Sequence, residues 1–451
     1  MACPRTRSRT TAIAAAVAAL AALAPLAGCA NPSVGSARDD PDAPVTLTFW
    51  HGWSEKSEVK AIDDSIARFE KLHPNIHVKA VGNVDDATMN QALRAGGDDA
   101  PDVVSSFTTT NVGQFCSSGM WADLDPFLHK SRIAKRKLFP RTLVDYTQYR
   151  GKQCALPLLA DAYGLYYNKD AFRRAGIRRP PHTMSELKRD AAKLTVRRKG
   201  GGYRRVGFMP NFRLYQNSPP RLFAQWGPRY FDGRGRSRLS RDPDTRDYFR
   251  TTNALLKAQG GYRALERFRT TFGDEMSSQN AFLTGKLAMH MDGEWRGLML
   301  QQAGAKFHWG TAPLPVPDDR PGTYGRGFLT GTVAGIANSS RHQNAAWELL
   351  RFLTTDTRQV VRFSNAIHNV PSTRPALKSP RLDADPRFRT FVHIARNPHS
   401  SAEPPTVNGG QFTTAFQDFG YDVESGKVRD LRKGLRALDA RIDADTLQAR
   451  N

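Results

Sequence analysis

The sequence is poor in cysteine, poor in acid, and lacks the signatures by which enzymes are usually read. Its four cysteines among 451 residues include no CxxC pair and no Cys/His spacing of a metal site, so neither a metal nor a cofactor is expected. GxSxG, HExxH and Walker-loop patterns are missing, and Gly325-Arg326-Gly327-Phe328-Leu329-Thr330 lacks the third glycine of a dinucleotide fingerprint. There is no repeat of fixed period and no long low-complexity segment. Acids number 43 against 66 lysines and arginines, a formal charge of +23, which raises nucleic acid, anionic lipid or another acidic polymer as a partner. With 39% hydrophobic residues and 36 glycines the composition is ordinary and globular, which excludes a disordered or fibrous chain. The length predicts two or three domains.

One long hydrophobic run is present, and it is N-terminal. Arg5, Arg7 and Arg9 precede an apolar stretch from Ala12 to Leu26, the pattern of a secretory signal peptide and too short to span a membrane in its own right. Leu26-Ala27-Gly28-Cys29 resembles a bacterial lipobox, in which residues 1–28 are removed and Cys29 is lipidated. Residues 29–44 carry no apolar periodicity and read as a flexible tether. Cleavage removes three arginines and no acid, so the charge falls only from +23 to +20 and the excess lies in the body. Cys116 and Cys154 remain there. In an oxidising compartment they form one disulfide, or else they stand as two buried thiols.

The body begins with alternating Val45-Thr46-Leu47-Thr48-Phe49-Trp50, a strand. From Val59, apolar Ile62, Ile66, Phe69 and Leu72 recur at helical spacing until His73-Pro74. Ile76–Val81 alternates again, a helix is predicted across Thr88–Leu93, and Pro101-Asp102-Val103-Val104 enters a third strand. This β-α-β-α-β order predicts an α/β fold with a mostly parallel sheet. Further strands are expected at Tyr163–Tyr167, Leu287–Met291 and Thr332–Ala337, with helices from Thr183 or Ser185 and around Trp347–Thr354. Val428, Leu431, Leu435, Leu438 and Ile442 form a late buried stripe, and the basic stretches Arg197–Arg205 and Arg229–Arg241 read as solvated loops.

Six segments in chain order resemble the sugar-binding family of extracellular solute-binding proteins of ABC transporters, the family of maltose-binding protein. They are Thr48–Gly52, Phe69–Val78, Pro101–Val104, Leu165–Asp170, Ala281–Met289 and Asp292–Trp295. The resemblance implies a two-lobed periplasmic-binding-protein fold whose discontinuous lobes are joined by a hinge. Lobe 1 would comprise residues 45–157 plus 326–370 and lobe 2 residues 158–325 plus 371–451, with passages near Leu156-Pro157, Tyr324–Gly327 and Asn369–Pro371. It also implies a binding protein and not an enzyme: a lipid-anchored monomer outside the cell membrane that delivers a mono- or oligosaccharide to the permease subunits of an importer.

A sugar needs flat aromatic surfaces for its C–H face and carboxylates, amides or Arg for its hydroxyls. Trp295, in the Asp-Gly-Glu-Trp segment, is expected to stack on the ligand, and Asp161 to accept its hydroxyl protons, as in similar proteins. Trp50 and Trp53 flank the turn beyond the first strand and serve either the cleft or the core, while His51 between them either lines the cleft or is a capping or solvated turn histidine. Trp226, Glu294 and Arg326 are further candidate lining residues. Ser105–Thr108 departs from maltose-binding protein, which has bulkier and charged contacts there, so maltose itself does not follow. A secreted glycosidase would need two carboxylates at a defined separation, and Asp161 and Glu294 carry no hydrolase signature. The arginines are scattered and not gathered with aromatics in one module, which argues against nucleic acid.

Overall fold

The computed structural model describes residues 44–97 and 100–450. The signal segment 1–28, Cys29 and nearly all of the tether lie outside the described residues.

Two five-stranded sheets organise the molecule. The first has the order Ile76–Val81, Val45–Trp50, Val103–Ser106, Val333–Ile336, Leu156–Pro157. The three early strands are parallel, as β-α-β-α-β connections require, and the returning strand Val333–Ile336 is antiparallel to both its neighbours. Helix Lys56–Leu72 covers this sheet with Ala61, Ile62, Ile66 and Phe69 and stops at His73, before Pro74. The second helix starts two residues before the expected Thr88, at Asp86, because Asp85 caps it by accepting from the Thr88 N–H at 2.7 Å.

The second sheet is not parallel. Its spine is the ten-residue strand Leu159–Asn168, and Met289–Gly293, Trp309–Ala312, Leu329–Thr330 and Val370–Pro371 all pair with it antiparallel. The expected strand at Leu287–Met291 is displaced to Met289–Gly293, since Leu287 bridges Val206 instead. Helix Met184–Leu194 begins at Thr183, whose side chain accepts from the Glu186 N–H. The Arg197–Arg205 stretch, expected as loop, is a short hairpin of Val196–Arg197 and Tyr203–Arg205, anchored by the buried ring of Tyr203.

The chain passes between the sheets three times: at Leu158, at Gly331-Thr332 and around Asn369. The middle passage lies beyond the expected Tyr324–Gly327 because Leu329 and Thr330 already pair with Ala162 and Asp161. Glycine is required there: Gly331 has φ +156°, and a Cβ would come within 2.2 Å of the Leu159 carbonyl oxygen. One hydrophobic cluster lies under each sheet, and a third, including Val104, Trp121, Tyr146, Ala160, Leu329, Val333 and Val370, spans both.

Cys116 and Cys154 are bonded, with Cα atoms 5.6 Å apart. The bond sits beside Trp121 under the first sheet, and Gly335 gives it room, since a Cβ there would meet the Trp121 ring at 2.7 Å. The late stripe is core: Leu435, Leu438 and Ile442 are buried, with Val428 and Leu431 packed at its edge. Among the described residues no helix is long and apolar enough to cross a membrane, and no His/Cys/Asp/Glu group is arranged to hold a metal.

Candidate ligand-binding cleft

The candidate site forms where the spine strand meets the passages. Pairing of Leu329–Thr330 and Val370–Pro371 with its first half fixes Asp161 at the junction. The amide nitrogen of Asn369 donates to the Asp161 carboxylate at 2.6 Å and to Glu294 Oε1 at 2.9 Å. Burial pushes the Asp161 carboxyl up to about 7, while the Arg221 charge and the Asn369 amide pull it down. Burial, together with the Asp161 charge, holds Glu294 well above the usual carboxylate range. Two carboxyls sharing one amide donor are accommodated when one of them keeps a proton.

Glu294 spends its oxygens on the hinge. Oε2 accepts from the Ala162 N–H at 3.0 Å, and Oε1 also accepts from the Val370 N–H at 3.3 Å. Its carboxylate therefore ties three chain segments together, which leaves it poorly placed to serve as a free acid or base.

Trp295 follows at the end of strand Met289–Gly293. It is half-buried, meets Tyr163 edge-to-face at 5.7 Å, and its indole N–H is buried without a hydrogen-bond partner. The ring folds back over its own strand, so a Cβ at Gly293 would come within 2.2 Å of it. Beneath it, Arg221 lies over the Tyr163 ring at 4.8 Å and faces the ring of Tyr215 at 5.6 Å. Burial also pushes Glu403 up to about 7 against the pull of the Arg221 charge, so one guanidinium serves both Asp161 and Glu403.

A cavity of about 440 Å³ opens beside this cluster, between helix Arg141–Tyr146 on one side and Pro228–Phe231 and Pro398–Pro404 on the other. Tyr146 and Glu403 both line it, and the Tyr146 hydroxyl donates to the Thr330 carbonyl at 3.2 Å. This volume suits a small organic ligand.

The other expected residues are placed differently. His51 is buried between Phe49 and Trp53, and burial lowers its pKa against the pull of the Asp63 charge. Trp53 is 4% exposed and packs edge-on against Phe107 and Phe363. Trp50 is half-buried against the cluster that spans both sheets. Trp226 is in the second core, its indole N–H donating to Asp247 at 2.8 Å, and Arg326 is buried against Gly227. Arg221, Asn369, Glu403 and the exposed rings of Phe107 and Tyr215 join the candidate set from the structure alone.

A family model of bacterial extracellular solute-binding proteins matches residues 52–360. The chain belongs to that family. Among curated relatives of this solute-binding protein, one from Brucella abortus (strain 2308), named only as a binding protein, is 29% identical over 251 residues. That match covers 53% of this chain, and the chain spans about half of that relative's length, 55%. The maltotriose-binding protein of Pyrococcus abyssi is 21% identical over 374 residues, 80% of this chain and 74% of the relative. Among solved structures, the sugar-binding protein MalE from Xanthomonas citri superposes with a TM-score of 0.73 at 22% identity, covering 90% of this chain and 98% of that one. This solute-binding protein therefore has the two-lobed fold that the motifs implied, one lobe on each sheet.

Proposed function

We propose that this solute-binding protein captures a neutral mono- or oligosaccharide between its lobes and presents it to the permease subunits of an ABC importer. The observation that carries this reading is the half-buried Trp295 ring, with an unpartnered indole donor, beside Asp161 and Arg221. A stacking face, an acceptor and a fork of donors, the kinds of group that a sugar's C–H face and hydroxyl edge demand, stand near the cavity that Tyr146 and Glu403 line. Lobe 1 is taken as 45–157 with 326–370 and lobe 2 as 158–325 with 371–451, with the middle junction moved to Gly331. Ligand touching both lobes stabilises their closed arrangement by its differential affinity, and the permease reads that state. No bond is broken. Calorimetric titration with maltotriose and a panel of neutral sugars tests this: at least one should bind, and Trp295→Ala should weaken it about tenfold to a hundredfold without loss of fold. Binding of no neutral sugar, with a phosphorylated or peptide ligand active instead, would overturn it.

The reading extends to a monomer held outside the membrane by a lipid on Cys29, which Leu26-Ala27-Gly28-Cys29 and the polar tether support. Metabolic labelling with palmitate should mark the wild type and not Cys29→Ser; equal labelling of both removes the anchor.

A further inference from the structure

Part of the charge excess that the sugar cleft does not use lines one cavity. Beside the hairpin Val196–Arg197/Tyr203–Arg205, a space of about 340 Å³ is lined by Arg197, Arg198, Arg204, Arg267 and Lys286, with no carboxylate in its wall. Among the described residues none of the five is ion-paired. The nearest acid on the facing helix, Glu266, is already held by Arg269 through bonds of 2.9 and 2.6 Å. Two of the cations are stiffened by aromatic partners: Arg197 lies over Tyr203 at 5.0 Å and Lys286 lies 5.9 Å from the Phe272 ring centre. Arg205, in the hairpin itself, is held below its usual pKa chiefly by burial, with the charges of Arg174 and Arg204 adding to the shift.

Like charges gathered without counter-charge cost folding free energy and are tolerated where a ligand relieves them. We propose that this cavity is a second, anion-binding site that takes a multiply charged phosphate-bearing ligand, independent of the sugar cleft. Guanidinium groups present paired N–H donors that match phosphate oxygens, and a concave wall of five cations suits a ligand that enters it over a flat bilayer face. The glycine-rich turn Gly200-Gly201-Gly202 and the exposed Arg198 and Arg204 leave the entrance open to solvent.

The test uses inorganic tripolyphosphate as probe, with the whole protein, by calorimetry at low and at physiological ionic strength. Binding should weaken with salt, as exposed charge contacts do. Arg204→Gln/Arg267→Gln, both at exposed positions, should lower the affinity tenfold or more, about what two charge-assisted contacts contribute, with unchanged melting temperature and sugar affinity. Arg432→Gln/Arg436→Gln, which removes the same charge from the late helix, should leave it within about twofold. Equal losses in the two variants would mean a diffuse field and overturn the site. So would failure of tripolyphosphate to bind. Retention on phosphatidylglycerol vesicles that tripolyphosphate does not displace would assign the patch to a lipid surface instead.

Discussion

Glu424, the last residue of helix Gln411–Glu424, is buried in the second lobe, and its Oε2 accepts the Phe212 N–H at 3.0 Å. Burial pushes its carboxyl up to about 8, with the Phe212 and Asn211 contacts pulling the other way. An unfolded glutamate titrates near ~4.3, so between that value and about 8 the folded chain binds a proton that the unfolded chain has released. Stability must then fall as pH rises through this window. Asp161 and Glu403, each raised to about 7, add to the same slope. Glu424→Gln keeps an acceptor for Phe212 and deletes the titration. Relative to wild type it should gain of the order of a few kcal/mol between pH 5 and pH 8, read from urea midpoints. A variant whose midpoint tracks wild type across that range would mean Glu424 is ionised in the fold. At Asp292 the sign is opposite: burial opposes its charge, but the Arg296 guanidinium, 2.5 Å away, and His290 hold it below the usual range.

Among the elements, the disulfide closes a loop of helices and a hairpin against the first sheet. Its partners are 38 residues apart, and the chain-entropy account assigns such a loop about 4 kcal/mol. Cys116→Ser/Cys154→Ser should lower the unfolding free energy by about 2–5 kcal/mol and leave sugar affinity unchanged, because neither sulfur borders the cleft. Loss of binding at full stability would show that the loop serves the ligand instead. Where one face of an element meets water, the sequence announces it: Leu47 and Phe49 point inward from Val45–Trp50, and Ile62, Ile66 and Phe69 from the first helix. Leu159–Asn168 is buried along nearly its whole length, so only its central residues stood out, and of its antiparallel partners Met289–Gly293 was legible, two residues out of place. Leu329–Thr330 and Val370–Pro371 are two residues long and cannot display a period of two. The hairpin hidden in Arg197–Arg205 is equally short and is split by three glycines. Within the site, Asp161 and Trp295 were legible through motifs contiguous in sequence. Arg221, Asn369 and Glu403 were not, because their significance lies in partners brought by separate passages of the chain.

At the scale of the molecule, the lobes meet where helix Val112–Ser117 faces the loop Thr406–Gly410. Thr110 Oγ1 donates to the Gly409 carbonyl at 3.4 Å, and a Cβ on Gly113 would stand 2.4 Å from the Thr406 carbonyl oxygen. The neighbouring atoms are backbone and cannot swing aside. Gly113→Ala suits a helix but not this approach, so the variant should keep its stability to within about 1 kcal/mol and bind sugar about tenfold more weakly, mostly through faster release. Unchanged affinity would show that the ligand-bound molecule does not need these segments to touch.

The placement of Val333–Ile336 in the middle of the first sheet, between Val103–Ser106 and Leu156–Pro157, also sets a timetable. During synthesis the first three strands, both disulfide cysteines and Leu156–Pro157 emerge long before the strand that joins them. Lobe 1 cannot close until residue 336 of 451 has appeared, and its last passage follows at Asn369. For most of its time as a nascent chain the protein is thus unable to complete either half, a state prone to aggregation. It is also the loose, threadable state that a chain destined to cross a membrane must keep until it arrives.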